Sequence, residues 1–359
     1  MGDEATDVHV ELTVLAAAPD DSAIATADAF FLGQPDSLPD LATLAEHCDV
    51  ITFDHELVDL SLLRELAATG VILRPSPEAL RFSVDKLVQR EAFAAAGLPV
   101  PTFCAVRSPE ELPEAFRSSD HLPVLKSPTG GYDGRGVHFP DTVEERDGLL
   151  HAMGALGPVL VEERCTLLIE VAQMVVRGVD GEIKLYPLVT TVQAEGMCNE
   201  VRFPVQVDDA IASQANDLTT RIATLVGVVG VMAVEYFVTP EGLLINELAL
   251  RPHNSGHWTI EGCTTSQFAN HLLAVSGQPL GDTSPVVSAA VMVNVVGSDV
   301  PATPEAAAIA GVHVHDYGKA WRSGRKLGHV TATGDDLAPL KVQAWKSAHL
   351  YGTRTRETQ

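Results

Sequence analysis

Four short stretches of the chain carry side chains whose types and spacing suit the binding of anions and cations. The first runs from Lys126 to Gly136, where a lysine ends an apolar run and four glycines follow within residues 130–136. Glycine permits positive φ and lets backbone N–H groups close on an anion, while a lysine neutralises phosphate oxygens. The lysine precedes the glycines, so the pattern differs from the Walker sequence. We interpret this stretch as a phosphate-binding loop, with a flexible surface hairpin as the alternative.

Two acidic residues, Glu235 and Glu247, fall on the two strands of a predicted β-hairpin. A three-residue loop at 240–242 would place them directly opposite each other. Like charges in that position are destabilising unless something intervenes. Mg²⁺ bridged to nucleotide phosphates would intervene, since it prefers one or two carboxylates plus phosphates and waters. The pair therefore predicts a magnesium site; two solvated surface glutamates are the alternative, which the apolar neighbours of both residues disfavour.

A polar stretch follows the second strand of this hairpin. It offers cationic and neutral donors together, which suits holding a carboxylate, carbonate or phosphate. A lone histidine is more often structural, but here two are interleaved with other donors beside the acidic pair. The candidate catalytic residues in this stretch are Arg251, His253, Asn254, Ser255 and His257.

The densest basic stretch comprises Lys319, Arg322, Arg325 and Lys326. A charge cluster is usually a solvated face. This one stands in a chain of formal net charge −24, from 24 basic and 48 acidic residues, so its sign opposes the overall sign and indicates an anion site. The overall acidity is open to explanation by solubility or adaptation to salt. It also repels nucleic-acid phosphates, so we expect no nucleic-acid partner.

The elements that must position these residues alternate between short strands and helices, at 11–15, 41–47, 49–53, 61–70 and 71–74. Such alternation predicts an α/β protein with a parallel sheet. The length of 359 residues suits two or three domains. A helix predicted at 85–95 is closed by Gly97 and the Pro99/Pro101 pair, which gives the first boundary. The region after residue 286 alternates β-like runs with turns.

The cysteines and the hydropathy pattern concern the cellular compartment. The five cysteines include no Cys-x-x-Cys pair, which argues against a structural zinc site and fits a reducing cytoplasm. The first ten residues carry three acidic residues and no apolar run, against a signal peptide. We find no run of about 18 apolar residues, the length of a membrane span. We therefore expect a cytoplasmic protein with no membrane partner.

Taken together, the four stretches resemble the ATP-grasp superfamily. Five strings resemble, within it, the N5-carboxyaminoimidazole ribonucleotide synthetases of purine biosynthesis in their actinobacterial form: Thr52-Phe-Asp-His-Glu56, Asp85-Lys86, Gly130-Gly-Tyr-Asp-Gly-Arg-Gly136, Arg251-Pro-His-Asn-Ser-Gly-His-Trp258 and Gly324-Arg-Lys-Leu-Gly-His329. The resemblance covers about residues 11 to 330. The fourth string is very specific to this family, whereas generic ATP-grasp enzymes share only the lysines and the Glu…Asn-Glu pattern.

The resemblance implies a fold and a reaction. The fold is α/β, with a truncated N-terminal Rossmann-like (pre-ATP-grasp) domain at 1–97, an ATP-grasp domain at 98–285 whose small lid spans about 105–162, and a small β-rich domain at 286–359. The enzyme would be an ATP-dependent ligase with ATP and Mg²⁺ as cofactors. It would phosphorylate bicarbonate to carboxyphosphate and carboxylate the amine of 5-aminoimidazole ribonucleotide. The family suggests a homodimer.

The resemblance also implies roles for individual residues. Glu162 would mark the hinge that reads adenine, and Glu170 would take the ribose hydroxyls. The implied ATP contacts are Lys86, Lys126, Gly130, Gly131, Tyr132, Asp133, Gly134, Arg135, Gly136, Glu162, Glu163, Arg164, Cys165, Glu170, Gln193, Asn246 and Glu247. The implied ribonucleotide contacts are Glu56, Tyr132, Asp133, Arg135, Lys319, Arg325 and Lys326. Glu235 and Glu247 would hold Mg²⁺, and the catalytic residues named above would handle bicarbonate and the ribonucleotide.

One departure concerns the N-terminus. The family begins with a strand and a Gly-Gly-Gly-Gln-Leu loop, whereas here Met1–Val10 stands in that place and the match starts at the second strand. We expect weaker binding of the ribonucleotide as a consequence. Two alternatives stay open: another ATP-grasp ligase, such as a formate-dependent glycinamide ribonucleotide transformylase or a biotin-carboxylase-like enzyme, and a non-catalytic remnant that only binds nucleotide.

Overall fold

The computed structural model describes residues 1–117, 122–130, 136–194, 196–299 and 302–352. Its helices are α1 (Gly2–Ala5), α2 (Leu38–Ala45), α3 (Leu60–Ala68), α4 (Pro77–Val84), α5 (Lys86–Ala95), α6 (Val143–Gly154), α7 (Asp209–Val226), α8 (Thr259–Gly262), α9 (Gln267–Ser276) and α10 (Leu337–Leu350). Its strands are β1 (Thr13–Ala16), β2 (Ala29–Leu32), β3 (Phe103–Val106), β4 (Val124–Lys126), β5 (Val137–His138), β6 (Val159–Glu162), β7 (Ile169–Arg177), β8 (Ile183–Leu185), β9 (Val189–Ala194), β10 (Met197–Phe203), β11 (Gly230–Thr239), β12 (Gly242–Ala249), β13 (Ala289–Val296), β14 (Val312–Asp316) and β15 (Lys326–Gly334).

The N-terminal region contains the parallel pairing that the sequence predicts, in a smaller form. Strands β1 and β2 pair in parallel, with Thr13 opposite Ala29. The prediction of strands at 49–53 and 71–74 is wrong, because these segments meet only in one parallel bridge, Ile51 with Leu73. Two backbone hydrogen bonds hold that bridge, Ile51 N to Ile72 O and Arg74 N to Ile51 O, which is too few for a ladder. Strand β2 was not predicted.

The central region begins with a four-stranded sheet, in the order β3-β6-β4-β5, which we call the lid. Its strands lie between residues 103 and 162, within the predicted lid segment. The predicted strand–loop–strand arrangement around the glycines is confirmed, because Lys126 at the end of β4 pairs with Val137 on β5. Helix α6 packs over the lid, and its Leu150 is fully buried.

A nine-stranded sheet forms the body of the molecule, in the order β12-β11-β7-β9-β10-β13-β15-β14, with β8 added beside β7. It crosses the predicted boundary at 285/286, because β10 pairs with β13. The division of the chain into domains stays a prediction. The sequence interpretation missed helix α10, whose buried residues are Leu340, Ala344, Trp345, Ser347 and Ala348. Three of these five residues are alanine or serine, so the helical spacing gives a weak hydrophobic signal.

His271 on α9 connects the N-terminal region to this sheet. The backbone N–H of Val231 donates to its Nδ1 (3.2 Å), and its Nε2 lies 2.7 Å from Thr52 Oγ1. Because Nδ1 accepts a hydrogen bond, the ring is neutral and carries its hydrogen on Nε2. Burial lowers the pKa of His271 to about 3.

We expect this histidine to make the protein sensitive to acid. In the unfolded chain a histidine titrates near pH 6.5, so between that pH and about 3 the unfolded state binds the proton first. The stabilisation is complete above pH 6.5 and is lost as the pH falls, by about 1.4 kcal/mol per pH unit. Urea unfolding at pH 7, 6 and 5 should show a smaller loss in His271→Asn than in wild type. Equal losses in the two proteins would contradict this assignment.

Candidate active site

A cavity of about 1360 Å³ lies between the lid, strands β11 and β12, and the segment before α3. Thr129, Gly130 and Phe139 of the lid line one side of it. Many of the sequence-predicted site residues meet on its wall, namely Glu56, Lys86, Lys126, Gly130, Glu170, Gln193, Glu235, Asn246, Glu247, Arg251, His253, Asn254 and Lys326. Residues from distant parts of the chain therefore converge on one space.

Glu235 and Glu247 lie directly opposite each other on β11 and β12, as predicted. The predicted three-residue loop is wrong: Thr239 pairs with Gly242, which leaves a two-residue turn. With that turn alone, Glu235 would pair with Asn246 instead of Glu247. A β-bulge corrects the register: Tyr236 pairs with Ile245, and Asn246 is the extra residue, so that Glu235 pairs with Glu247. The bulge thus creates the acidic pair.

The surroundings of the acidic pair shift the pKa of Glu235 strongly. Burial raises the pKa of Glu235 to about 8, and the negative charges of Glu247 and Glu170 add to the shift. Asn246 Nδ2 donates to Glu235 Oε2 (3.5 Å), and Lys86 Nζ lies 2.8 Å from Glu247 Oε1. Two oxygen-rich side chains that repel each other at one cavity wall fit a hard divalent cation, which would remove the repulsion.

The two candidate phosphate lysines approach the cavity from different elements. Lys86 is the first residue of α5, and Asp85 caps that helix by accepting from Leu87 N and Val88 N. Lys126 ends β4 in the lid, with its Nζ 2.5 Å from Glu162 Oε2. Burial lowers the pKa of Lys126, and the carboxylate of Glu162 opposes that shift. The side chain of Glu162 is paired with Arg90 and Lys126, so only the backbone of this strand end is left for the predicted contact with adenine.

The other hinge residues, Glu163, Arg164 and Cys165, do not line the cavity. Glu163 Oε1 accepts from Thr102 N (3.0 Å), and its own N–H donates to Thr102 O (2.9 Å). Arg164 lies over the ring of Phe139, 5.6 Å from its centroid, and Cys165 Sγ lies 3.7 Å from Glu163 O. These contacts fix the strand end that follows β6. The predicted residues Gly131, Tyr132, Asp133, Gly134 and Arg135 lie outside the described residues.

The stretch 251–257 splits into a wall and a support. Arg251, His253 and Asn254 line the cavity, whereas Ser255 is fully buried behind them. Ser255 Oγ lies 2.9 Å from His253 Nδ1, which also accepts from Ser255 N (3.3 Å). The remaining nitrogen of His253, Nε2, therefore carries the hydrogen and faces Glu235 Oε1 at 3.7 Å. Ser255 orients His253 rather than meeting a substrate itself.

Gln267, which the sequence interpretation missed, holds this loop together. Its Oε1 accepts from His253 N (2.8 Å), and its Nε2 donates to His253 O (2.8 Å) and lies 2.9 Å from His257 Nδ1. A Cβ at Gly256 would lie 2.6 Å from Gln267 Oε1, so a larger residue there would displace the amide that holds this loop. The signal in the sequence was slight, since Gln267 is one of several polar residues in this helix.

A column of stacked imidazole rings extends behind the loop and was also missed. His257 stacks on His329 (4.7 Å between centroids), and His329 stacks on His315 (4.4 Å). Glu261 Oε1 lies 2.6 Å from His315 Nε2, and Tyr317 Oη lies 2.9 Å from His329 Nδ1. Burial lowers the pKa of His257 to about 3, so this ring is neutral. His257 thus belongs to the support rather than to the wall.

The basic cluster lies beside this column. Lys326, the first residue of β15, lines the cavity. Lys319 is exposed, with its Nζ 5.5 Å from the centroid of the Tyr317 ring. Arg325 Nη1 donates to Ala320 O (3.3 Å). The stacked histidines thus join the two stretches that were predicted to share the ribonucleotide.

Glu56 acts at the junction of the N-terminal region and the loop. Its Oε1 accepts from Leu250 N (2.7 Å), and its Oε2 lies 3.3 Å from Arg251 Nε. Arg251 is thereby fixed at the cavity wall with its guanidinium partly available. Glu170 and Gln193 lie on neighbouring strands β7 and β9, and their side chains are hydrogen bonded to each other.

Three family models match the chain in succession. Residues 1–84 match the ribonucleotide synthetase preATP-grasp domain, residues 91–268 the ATP-grasp domain, and residues 290–343 the phosphoribosylaminoimidazole carboxylase C-terminal domain. These three matches cover most of the chain, and the fold contains the lid and the acidic hairpin described above. The chain is therefore an ATP-dependent ligase of the ATP-grasp class.

Individual relatives narrow the class. The chain is 43% identical to the N5-carboxyaminoimidazole ribonucleotide synthase of Mycobacterium tuberculosis over 94% of its own length and 81% of the relative. It is 39% identical to the enzyme of that name from Synechocystis, over 96% and 91% of the two chains. The chain belongs to the N5-carboxyaminoimidazole ribonucleotide synthase family.

Solved structures agree with this assignment. The synthetase from Thermus thermophilus superimposes with a TM-score of 0.89 at 34% identity, covering 100% of this chain and 96% of the other. The synthase from Aspergillus clavatus in complex with ADP and 5-aminoimidazole ribonucleotide gives 0.86 at 29% identity, over 97% and 94%. Among the described residues, no helix is long and apolar enough to cross a bilayer.

Proposed function

We propose that this enzyme uses ATP and bicarbonate to carboxylate 5-aminoimidazole ribonucleotide, giving N5-carboxyaminoimidazole ribonucleotide, ADP and phosphate. The observation that carries the proposal is the convergence on one cavity of the lysines, the acidic hairpin and the Arg251–Asn254 wall. The first two suit nucleotide phosphates, and the third suits bicarbonate. The Aspergillus relative has been solved with both ADP and the ribonucleotide, which supports the same pair of ligands here.

The reaction consists of two displacements. A bicarbonate oxygen attacks the γ-phosphorus of ATP, ADP leaves, and carboxyphosphate forms. The amine of the ribonucleotide then attacks the carboxyl carbon, phosphate leaves, and the nitrogen loses a proton. Bicarbonate is a poor electrophile, and phosphorylation supplies its leaving group. The protein's contribution is charge neutralisation, alignment and exclusion of water from the labile intermediate.

The chain's own residues supply the charge and the alignment. Lys86 and Lys126 would neutralise phosphate oxygens of ATP. Arg251 and the Nε2–H of His253 offer donors to the oxygens of bicarbonate. Because burial and the neighbouring Arg251 lower the pKa of His253, this ring is neutral at pH 7 and keeps its hydrogen for donation. The glycine-rich loop would close over the phosphates and exclude water.

Glu235 and Glu247 would hold Mg²⁺, with Asn246 beside them. The ion would lower the charge repulsion between the triphosphate and the attacking oxygen of bicarbonate. Glu170 and Gln193 would face the nucleoside part of ATP. Lys326, with Lys319 and Arg325, would bind the 5′-phosphate of the ribonucleotide, and Glu56 would contact it beside Arg251.

The location and the assembly belong to the same proposal. The five cysteines, all in described parts of the chain, are free thiols, which supports a cytoplasmic enzyme. We propose a homodimer, as the family resemblance suggests. Light scattering at several concentrations tests this assembly, and a constant monomer mass would contradict it.

The test of the reaction is phosphate release measured with ATP and each acceptor in turn. We expect release that requires both bicarbonate and 5-aminoimidazole ribonucleotide. Release that depends on formate and glycinamide ribonucleotide would instead support the transformylase alternative. Nucleotide binding without any acceptor-dependent turnover would support the non-catalytic remnant.

A further inference from the structure

Arg90 on α5 is a buried cation with three defined partners and no contact assigned to a substrate. It is 1% exposed. Its Nε donates to Glu162 Oε1 (2.5 Å), its Nη1 to Gln89 Oε1 (2.8 Å) and its Nη2 to the backbone oxygen of Asn246 (2.7 Å). A buried charge is costly unless it is paired and hydrogen bonded, so each of these contacts constrains the surrounding elements.

The first partner leads to the lid. Glu162 ends β6 and accepts Arg90 on one carboxylate oxygen and Lys126 on the other, both at 2.5 Å. Burial alone would raise the pKa of Glu162, but the charges of Arg90 and Lys126 outweigh it and hold the pKa below its usual value. Glu162 is therefore an ionised bridge between α5 and the lysine of the lid.

The third partner leads to the acidic hairpin. Asn246 is the bulge residue that sets Glu235 opposite Glu247, and its backbone oxygen accepts from Arg90. Lys86 stands four residues before Arg90 on the same helix, hence on the same face, and it pairs with Glu247. Helix α5 therefore grips two consecutive residues of β12 at the bulge.

We propose that Arg90 is a positioning residue that fixes the lid lysine Lys126 relative to the carboxylate pair Glu235 and Glu247. A planar guanidinium can donate in both directions at once, whereas an ammonium lacks this fixed fork. The inference rests on the proposed function insofar as Lys126 faces phosphate and the carboxylates face a divalent cation.

The test compares Mg²⁺-dependent ADP binding by calorimetry in wild type and four variants. Arg90→Met should weaken ADP binding, because Glu162 and Lys126 lose their link to α5. It should also raise the apparent dissociation constant for Mg²⁺ in the ADP complex by about tenfold or more, since the bulge loses its donor. Arg90→Lys should restore much of the ADP affinity through Glu162 but leave the Mg²⁺ constant raised. Glu162→Gln should show the opposite split, with weaker ADP binding and an unchanged Mg²⁺ constant.

Arg146→Met is the matched control. Arg146 is also a buried arginine on a helix, 4% exposed, where it pairs with Asp147 and donates to Phe116 O outside the cavity. It should lower the melting temperature without changing either constant. An Arg90→Met protein that behaves like this control would show that Arg90 serves packing only, and would overturn the inference.

The outcome separates the two proposals. The binding experiment needs neither bicarbonate nor ribonucleotide. If the variants change the ADP affinity and the Mg²⁺ constant as expected but the wild type does not carboxylate the ribonucleotide, only the proposed function is overturned. Wild-type protein that binds ADP without any dependence on Mg²⁺ would overturn both. A raised Mg²⁺ constant that Arg90→Lys fully restores would show that charge alone suffices, which contradicts the positioning role of the guanidinium.

Discussion

Glu247→Gln is expected to lower ATP turnover on the order of 100-fold, the effect of removing one positioned charge-stabilising group. The variant keeps the shape of the side chain but removes one of two carboxylates that suit Mg²⁺. It removes a like charge opposite Glu235 and also the ionic partner of Lys86, two effects of opposite sign, so the melting temperature should change little. Phosphate release measured across a range of Mg²⁺ concentrations, beside a melting curve, checks both statements.

The control is Glu241→Gln in the same hairpin. Glu241 occupies the exposed turn and is separated from the cavity by the length of the strands. It should have wild-type turnover. Normal turnover of Glu247→Gln at limiting Mg²⁺ would remove Glu247 from the metal site.

Lys126→Ala is expected to weaken ATP binding by about 10- to 150-fold, the equivalent of roughly 1.5–3 kcal/mol for a desolvated lysine–phosphate contact. The structure gives a second reason. Glu162 would keep only Arg90 as an ionic partner, and its less neutralised negative charge would repel the phosphates. The KM for ATP should rise and kcat should fall, while the KM for the ribonucleotide changes little.

Lys184→Ala provides the comparison. Lys184 donates to the backbone oxygen of Leu280 (2.7 Å) and pairs with Glu182 (3.5 Å), away from the cavity. Its loss should leave the ATP kinetics intact. If Lys126→Ala shows the same intact kinetics, Lys126 is a structural partner of Glu162 and has no part in ATP binding.

Local patterns predicted those parts of the molecule that depend on neighbours in sequence. The strand–glycine loop–strand at Lys126 and the hairpin with its acidic pair follow from short-range spacing, and both are present. The way in which the hairpin reaches its register was not predictable from spacing. A bulge at Asn246 is stabilised by Arg90, a residue 156 positions earlier in the chain.

The supporting residues could not be predicted, because their partners are distant in sequence. Gln267 is a plain polar residue until its contacts with His253 and His257 are known. The stacking of His257 on His329 joins residues from separate elements. The candidate site residues could be recognised from their residue types. The residues that orient them, such as Gln267, can be recognised only from their contacts in the folded protein.

The continuity of the nine-stranded sheet limits how this enzyme can be recombined with its relatives. Strand β13 is buried along nearly its whole length between β10 and β15, and the last residue of the basic cluster, Lys326, is the first residue of β15. Removing residues after 285 would therefore expose the edge of β10 and invite aggregation. In a hybrid that takes its C-terminal segment from another family member, the side chains of the new β13 must pack against those of β10 in the same register. The proposed site for the ribonucleotide phosphate is thus inherited together with the proposed nucleotide site, and the two cannot be exchanged as independent modules.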